Sequence, residues 1–312
     1  MCGDSEVVLV SVTEVSGSCA GSYIHTYKAV DDCDNESETF GQVVNLLDET
    51  APTFTLHCPA DQQLYTDDNC QADTSVETNG SASFSDLADN CDEAPEAEIS
   101  HEDEVTPGCT GSYTIARTWT ITATDQCENE TTHTCVQTIT VSDITNPVPS
   151  ITCPADYTVD ADADCNADTT PAAAGEPAVS ATDNCSPSEN ITLDVSYEDS
   201  EAVYACEGEY TFTRTWTLLA TDDCGNFAST SCTQAITVED NTAPTWDAYD
   251  TYVSAACEDL LDPEDPTLVP ISASDNCSDV EYSIDAYQLS GGCPGTWMRV
   301  WTATDDCGNI SL

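Results

Sequence analysis

The 312-residue chain carries 59 Asp and Glu against four Lys and Arg, a formal net charge of −55, and 19 cysteines. That balance excludes nucleic acid and anionic lipid as partners, because both need basic patches. The chain also lacks the run of roughly 18 apolar residues that a membrane-crossing helix needs. Regularly spaced cysteines point to an oxidising compartment, secreted or at a cell surface. A charge this large often marks disorder. Here the acids are spread along a β-patterned chain with regular Trp and Tyr, so a folded chain is expected.

Taken in order, the chain opens at Met1-Cys2-Gly3 with no basic stretch or apolar core of an export signal. Any leader or anchor is expected outside this segment. A Val-rich strand follows, Glu6-Val7-Val8-Leu9-Val10-Ser11-Val12. Gly17-Ser-Cys19-Ala-Gly21 has the outline of a nucleophile elbow, but no strand–turn–helix context surrounds it, so a turn is expected. Residues 55–150 run through Cys58-Pro59-Ala60-Asp61, Ala88-Asp89-Asn90-Cys91, Arg117-Thr118-Trp119, Ala123-Thr124-Asp125-Gln126-Cys127 and Gln137-Thr138-Ile139-Thr140-Val141. Residues 151–246 repeat this with Cys153-Pro154-Ala155-Asp156, Ala181-Thr182-Asp183-Asn184-Cys185, Arg214-Thr215-Trp216, Ala220-Thr221-Asp222-Asp223-Cys224-Gly225-Asn226 and Gln234-Ala235-Ile236-Thr237-Val238, a period of 96 residues. Residues 1–54 read as the second part of a repeat, and residues 247–312 as the first part of another that stops before its last strand.

Short Thr/Val/Ile/aromatic runs alternate between Gly, Pro, Asn and Asp clusters, which predicts β-strands throughout. The clearest is 209–221, with Tyr210, Phe212, Trp216 and Leu218 on one face and threonines on the other. The expected fold is all-β: tandem Ig-like antiparallel β-sandwich domains, disulfide-stapled and arranged as an extended rod.

The string Ala-Thr-Asp-Asp-Cys-Gly-Asn, then a Cys-containing Thr/Val strand, then Asp-Asn-Thr-Ala-Pro, resembles the hyalin-repeat family, and also the Ig-like repeats of large bacterial surface proteins. The resemblance covers essentially the whole chain. It implies extracellular adhesion, matrix or filament roles. The chain departs from the family by adding cysteines beyond the usual pair.

Each full repeat has six cysteines. A sandwich topology places the third and fifth at one end, the second and fourth at the other, and the first and sixth on neighbouring strands. The expected bridges are therefore Cys58–Cys135, Cys70–Cys109 and Cys91–Cys127 in one repeat, and Cys153–Cys232, Cys165–Cys206 and Cys185–Cys224 in the next. In the partial repeats the scheme gives Cys2–Cys33, Cys257–Cys293 and Cys277–Cys307, with Cys19 left without a partner.

Two readings compete for the acidic clusters. Asp160, Asp162 and Asp164, the linker residues Asp240 and Asn241, and Asp275, Asp305 and Asp306 are expected to converge on one inter-repeat junction. Such oxygen-rich places suit calcium; alternatively, these residues only make turns. Arg117, Arg214 and Arg299 each lie two residues before a tryptophan (Trp119, Trp216, Trp301), which puts each pair on one strand face. A stacked or acid-paired arginine fixing the core edge is the expected role. Sequons stand at Asn35, Asn79, Asn129, Asn190 and Asn309. The four histidines share no zinc-binding spacing, and no catalytic constellation emerges, so an enzyme is not expected.

The leading functional reading is a structural unit of an extracellular filament, fibre or stalk, with other copies of itself as partners. The incomplete terminal repeats suggest head-to-tail completion by strand donation. The alternatives are a calcium-dependent cell-surface adhesin segment binding glycan or protein, and an S-layer or matrix component.

Overall fold

In this computed structural model the residues described are 3–16, 21–248, 254, 271–291 and 295–312. Cys2, Cys19, Cys257 and Cys293 lie outside them, and with them the expected pairings Cys2–Cys33 and Cys257–Cys293 and the lone Cys19. Cys33 itself is disulfide-bonded. The chain divides into two units, 1–145 and 146–312.

The first unit opens with a three-stranded antiparallel sheet of β1 (Ser5–Ser16), β2 (Ser22–Asp31) and β3 (Phe40–Asn45), in the order β1-β2-β3. The Val-rich stretch lies in β1 and pairs along one edge with β2, from Ser5 opposite Asp31 to Ser16 opposite Ser22. Val7 and Phe40 remain 70% and 69% exposed. A sandwich follows, built from β4 (Thr53–His57), β5 (Gln62–Tyr65), the one-turn helix α1 (Val76–Asn79), β6 (Ser83–Ala88), β7 (Glu96–Pro107), β8 (Tyr113–Thr124) and β9 (Glu130–Ser142). One sheet is β4-β6 and the other is β5-β9-β8-β7. Strict alternation along β8 sends Ile115, Arg117, Trp119, Ile121 and Ala123 inward. There Trp119, Ile121 and Ala123 pack on Phe54 of β4 and Ala82, with Phe54 and Phe84 edge to face at 6.2 Å.

In the second unit the same plan recurs. It comprises β10 (Val148–Thr152), β11 (Tyr157–Asp160), α2 (Pro171–Ala174), β12 (Ala178–Thr182), β13 (Thr192–Asp199), β14 (Val203–Cys206), β15 (Glu209–Thr221) and β16 (Phe227–Glu239). Sheet β10-β12 accompanies β11-β16-β15-β13, and β14 pairs with β15. β15 matches the strand read at 209–221, with Arg214, Trp216, Leu218 and Ala220 buried. The pairing is not antiparallel throughout. β5 runs parallel to β9, and β11 parallel to β16. Beyond the linker come β17 (Thr245–Trp246), β18 (Ala273–Ser274), β19 (Glu281–Ser290), β20 (Thr296–Thr304) and β21 (Ile310–Ser311).

A buried glutamine ties each sandwich together. Gln234, fully buried, donates from Nε2 to the carbonyls of Ala155 and Ala174, both at 2.8 Å, and its Oε1 accepts from the Trp216 indole at 3.3 Å. Gln137 holds Ala60 and Asn79 in the same manner, at 2.9 and 2.8 Å. Two loops are thus anchored to the last strand by one amide that satisfies their buried carbonyls.

Candidate cation site and inter-repeat staples

Cys58 is joined to Cys135 and Cys153 to Cys232, the first cysteine to the sixth. Three of the other expected pairs need correction. Cys165 is bonded to Cys277 and Cys206 to Cys307, so Cys165–Cys206 and Cys277–Cys307 do not form. Cys91 and Cys127 are both free thiols, so Cys91–Cys127 does not form either. Cys70, Cys109, Cys185 and Cys224 are disulfide-bonded. The physical reason lies in where the thiols point. The second and fourth cysteines of repeat 151–246 are directed onto the turns of the segment after it, and bond there to its third and fifth.

The surroundings of Cys165–Cys277 explain a glycine. Gly208 has φ +92°, and a Cβ added to it would lie 2.6 Å from both Cβ and Sγ of Cys277 and 3.1 Å from the Cys165 sulfur. Only glycine tolerates both that backbone and that neighbour. Further contacts close the junction. Asn276 Nδ2 donates to the Asp162 carbonyl at 3.0 Å, and the Cys307 sulfur sits 3.3 Å from the Glu207 carbonyl oxygen.

Beside these staples, carboxylate oxygens of Asp240, Asp275 and Asp305 lie within 4.8 Å of one another. Each comes from a turn that its own side chain braces. Asp240 Oδ1 accepts from Thr242 N at 3.1 Å. Asp275 Oδ2 accepts from Cys277 N at 2.8 Å and Ser278 N at 3.1 Å. Asp305 Oδ1 takes Asn309 N at 2.7 Å, and Asn309 Nδ2 bridges Asp305 Oδ2 and the Asp240 carbonyl at 2.8 and 2.9 Å. Asp240 is 3% and Asp305 5% exposed. Asp240 Oδ2 and Asp275 Oδ1 are buried with no hydrogen-bond partner. Burial, and then the charges of Asp275 and Asp305, push the Asp240 carboxyl up from its ordinary value.

The first unit holds the same cluster in Asp48, Asp89 and Asp125, again within 4.8 Å. Asp89 Oδ2 accepts from Cys91 N at 2.7 Å, and its Oδ1 is buried without a hydrogen-bond partner. Asp125 Oδ1 takes Cys127 N and Asn129 N, and Asn129 Nδ2 bridges Asp125 Oδ2 and the Asp48 carbonyl at 2.8 and 3.2 Å. The linker prolines Pro52 and Pro244 are buried.

Of the residues proposed for calcium from sequence, the structure brings together Asp240, Asp275 and Asp305. The other five serve elsewhere. Asp160 Oδ1 accepts from Asn241 Nδ2, Asp162 Oδ1 braces its own turn at Asp164 N and Asn166 N, and Asp306 Oδ2 accepts from Glu207 N. Asp48, Asp89 and Asp125 were missed, although the repeat register places them with Asp240, Asp275 and Asp305.

The arginines take structural positions. Arg214 forks onto Asp199 at 2.7 and 2.8 Å and lies 4.5 Å from the centre of the Tyr197 ring. Arg117 forks onto Asp103 at 2.8 and 2.9 Å and also donates to the Thr74 carbonyl. That guanidinium holds Asp103 below the usual carboxylate range. Arg299 and Trp301 are half-buried in β20. Four sequon asparagines are already engaged: Asn129 and Asn309 bind the aspartate-cluster turns, Asn35 Nδ2 donates to Asp31 Oδ2 at 2.9 Å, and Asn79 is 4% exposed with its Nδ2 donating to the Asp73 and Ser75 carbonyls. A glycan on any of them would break these bonds. Asn35 and Asn190 are exposed.

No protein-family model matches the chain, and no curated protein sequence matches it. The hyalin-repeat likeness therefore rests on its motif residues alone. Solved structures similar to it include the Protocadherin GammaB4 extracellular domain, at 13% identity and TM-score 0.30, covering 98% of this chain and 60% of that one. Human CDH23 EC21-23 is similar at 14% identity and TM-score 0.24, covering 75% and 88%. The human Desmocollin-1 ectodomain follows at 11% and 0.21, covering 93% and 63%. The chain thus spans less than two thirds of the length of the first and the last of these. At TM-scores this low the chain's own residues carry the functional reading.

Proposed function

We propose that this chain is a non-enzymatic structural segment of an extracellular stalk or filament, whose consecutive repeats are locked by paired disulfides and by calcium held between three aspartates. The observation that carries the reading is the buried cluster of Asp240, Asp275 and Asp305 beside two disulfides that cross the same junction. At an effective dielectric of about 20, each carboxylate pair at such spacing repels by about 3.5 kcal/mol. A divalent cation reverses the sign of that energy. The donors are all oxygens, the neighbouring Cys277 and Cys307 sulfurs are oxidised, and no histidine is among the ligands, which favours calcium over zinc. Buried linker prolines and turn-bracing aspartates leave the junction little freedom, as a load-carrying connector needs.

The test is calcium titration of the oxidised chain by isothermal calorimetry, with small-angle scattering of the same samples. Saturable binding, and dimensions that change when calcium is chelated and the disulfides are reduced, are the expected results. No heat of binding and unchanged dimensions refute the reading.

A further inference from the structure

Two of the three cluster aspartates in the second unit stand beside staple cysteines. Asp275 precedes Cys277 by two residues, and its Oδ2 accepts from the Cys277 and Ser278 amides at 2.8 and 3.1 Å. Asp305 precedes Cys307 by two residues and closes the turn around it: the Asp305 amide donates to the Asn309 carbonyl at 3.1 Å, and the Gly308 amide to the Asp305 carbonyl at 3.3 Å. The Asp306 amide joins the two turns by donating to Ser278 Oγ at 3.0 Å. Asp240, the third member, connects to the other end of a staple through the backbone. The pairing of Asp160 with Glu239 continues in the Ala161 amide, which donates to the Glu239 carbonyl at 2.8 Å, and Asn241 Nδ2 donates to Asp160 Oδ1 at 2.9 Å. The loop so held carries Cys165, whose amide donates to the Asp162 carbonyl at 3.0 Å. Glu207, next to Cys206, ties in the second staple, its amide donating to Asp306 Oδ2 at 3.3 Å.

Carboxylates and staples therefore share three pieces of backbone, 239–241, 275–278 and 305–309, and act on them in opposite senses. Asp240 is 3% exposed, and its Oδ2 and Asp275 Oδ1 are buried with no hydrogen-bond partner. Like charges within 4.8 Å push the pieces apart. The disulfides hold them together. A divalent cation on the carboxylates keeps Cys277 and Cys307 beside Cys165 and Cys206 even after a bond has opened, which raises the effective concentration of each thiol at its partner. An intact staple in turn keeps the carboxylates assembled, so less ordering is left to be done when the cation binds. The first unit lacks this arrangement. Cys91 and Cys127 follow Asp89 and Asp125 by two residues, yet both thiols are free, so the cluster of Asp48, Asp89 and Asp125 has no staple at these positions to couple to.

We propose that the site at Asp240, Asp275 and Asp305 and the two staples beside it are thermodynamically linked: calcium makes Cys165–Cys277 and Cys206–Cys307 harder to reduce, and reduction of the staples weakens calcium binding by the same factor. The inference rests on the calcium reading of that site and adds the coupling to it. A dithiol opens a staple by exchange. One of its thiolates attacks a staple sulfur to give a mixed disulfide, and its second thiol then releases the cysteine. The staple gains two electrons and two protons as two thiols, and the dithiol becomes a cyclic disulfide. Calcium takes no part in the exchange and changes only the balance between open and closed forms. The junction then loosens where calcium is low and the surroundings are reducing.

The test equilibrates the whole oxidised chain in buffers of reduced and oxidised dithiothreitol, with about 5 mM calcium or with EGTA. Iodoacetamide stops the exchange, and mass spectrometry counts the bridged and alkylated peptides of each disulfide. The reduced-to-bridged ratio of Cys165–Cys277 and Cys206–Cys307 is expected to be at least about fivefold lower in calcium, with that of Cys153–Cys232, in the same repeat, unchanged. Asp240→Asn is expected to abolish the calcium effect, its bridged Cys153–Cys232 peptide certifying that the variant folds. Calorimetry on the same oxidised chains separates the two ways to fail. No heat of calcium binding, or heat that Asp240→Asn leaves unchanged, overturns both the coupling and the reading beneath it. Heat that Asp240→Asn diminishes, with equal staple ratios in calcium and EGTA or an equal shift in Cys153–Cys232, overturns the coupling alone.

Discussion

Replacing Asp240 with asparagine should change the stability of its junction in opposite senses with and without calcium. In the wild-type chain Asp240 faces Asp275 and Asp305 across less than 4.8 Å, and its Oδ2 is buried with no hydrogen-bond partner. Asparagine removes one charge and so two of the three repulsive pairs, each about 3.5 kcal/mol at an effective dielectric of about 20. Solvent screening and relaxation of the turns relieve part of this, which leaves an expected gain of about 1–3 kcal/mol in chelator. The asparagine oxygen can still accept from Thr242 N. With about 5 mM calcium and a dissociation constant of about 10⁻⁴–10⁻³ M, the wild-type site gains about 1–2.3 kcal/mol, which the variant forfeits. For a module of this size each kcal/mol moves Tm by about 4–8 °C. Tryptophan-fluorescence melting in EGTA and in calcium reads both effects. A variant that melts below wild type in EGTA, or that keeps the full calcium response, refutes the reasoning.

Three further outcomes are expected. Gly208→Ala adds a Cβ 2.6 Å from Cys277 at a φ of +92°, so it should destabilise by about 1–3 kcal/mol and lower the yield of the Cys165–Cys277 peptide in non-reducing digests. Gln234→Leu leaves the Ala155 and Ala174 carbonyls and the Trp216 indole without their partner; at about 1–3 kcal/mol for each buried orphan, urea unfolding should show a loss of at least about 3 kcal/mol. Asp103→Asn should cost about 2 kcal/mol at pH 7, below the range for a fully buried pair because Asp103 is about one-third exposed. Arg117 lowers the folded-state pKa of Asp103, so its contribution is complete above the unfolded value and is lost as pH falls through the folded value. Wild type and variant should therefore converge in acid melts, and a gap that persists at the lowest pH contradicts the assignment.

The fold was legible because period-2 patterning survives in the sequence. The alternation in 209–221 corresponds to β15, and the two-residue step from Arg214 to Trp216 does put both side chains inside. The parallel pairing of β11 with β16 was not legible, because a four-residue strand leaves too short a pattern to show its direction. Neither was the partner of Cys165. Sequence placed Cys165 and Cys206 at one end of the module, but which sulfur each meets depends on how the next segment docks, and no local periodicity encodes that. The aspartates were legible in part: the convergence of Asp240, Asp275 and Asp305 was expected, that of the other acids named with them was not met. Those in the Asp160–Asp164 run drew attention by density, yet they brace turns. Asp240, Asp275 and Asp305 converge because three separate turns are braced around them.

The cross-junction staples also impose an order on synthesis. Cys165 and Cys277 are 112 residues apart, and Cys206 and Cys307 are 101 apart. As the chain emerges from its N-terminus, Cys165 and Cys206 are present together about a hundred residues before Cys277 and Cys307 arrive. Bonding between those two, the pairing that a single module viewed alone suggests, is the competing dead end. Closure of this junction is therefore vectorial: the second and fourth cysteines of residues 151–246 wait on the segment that follows them.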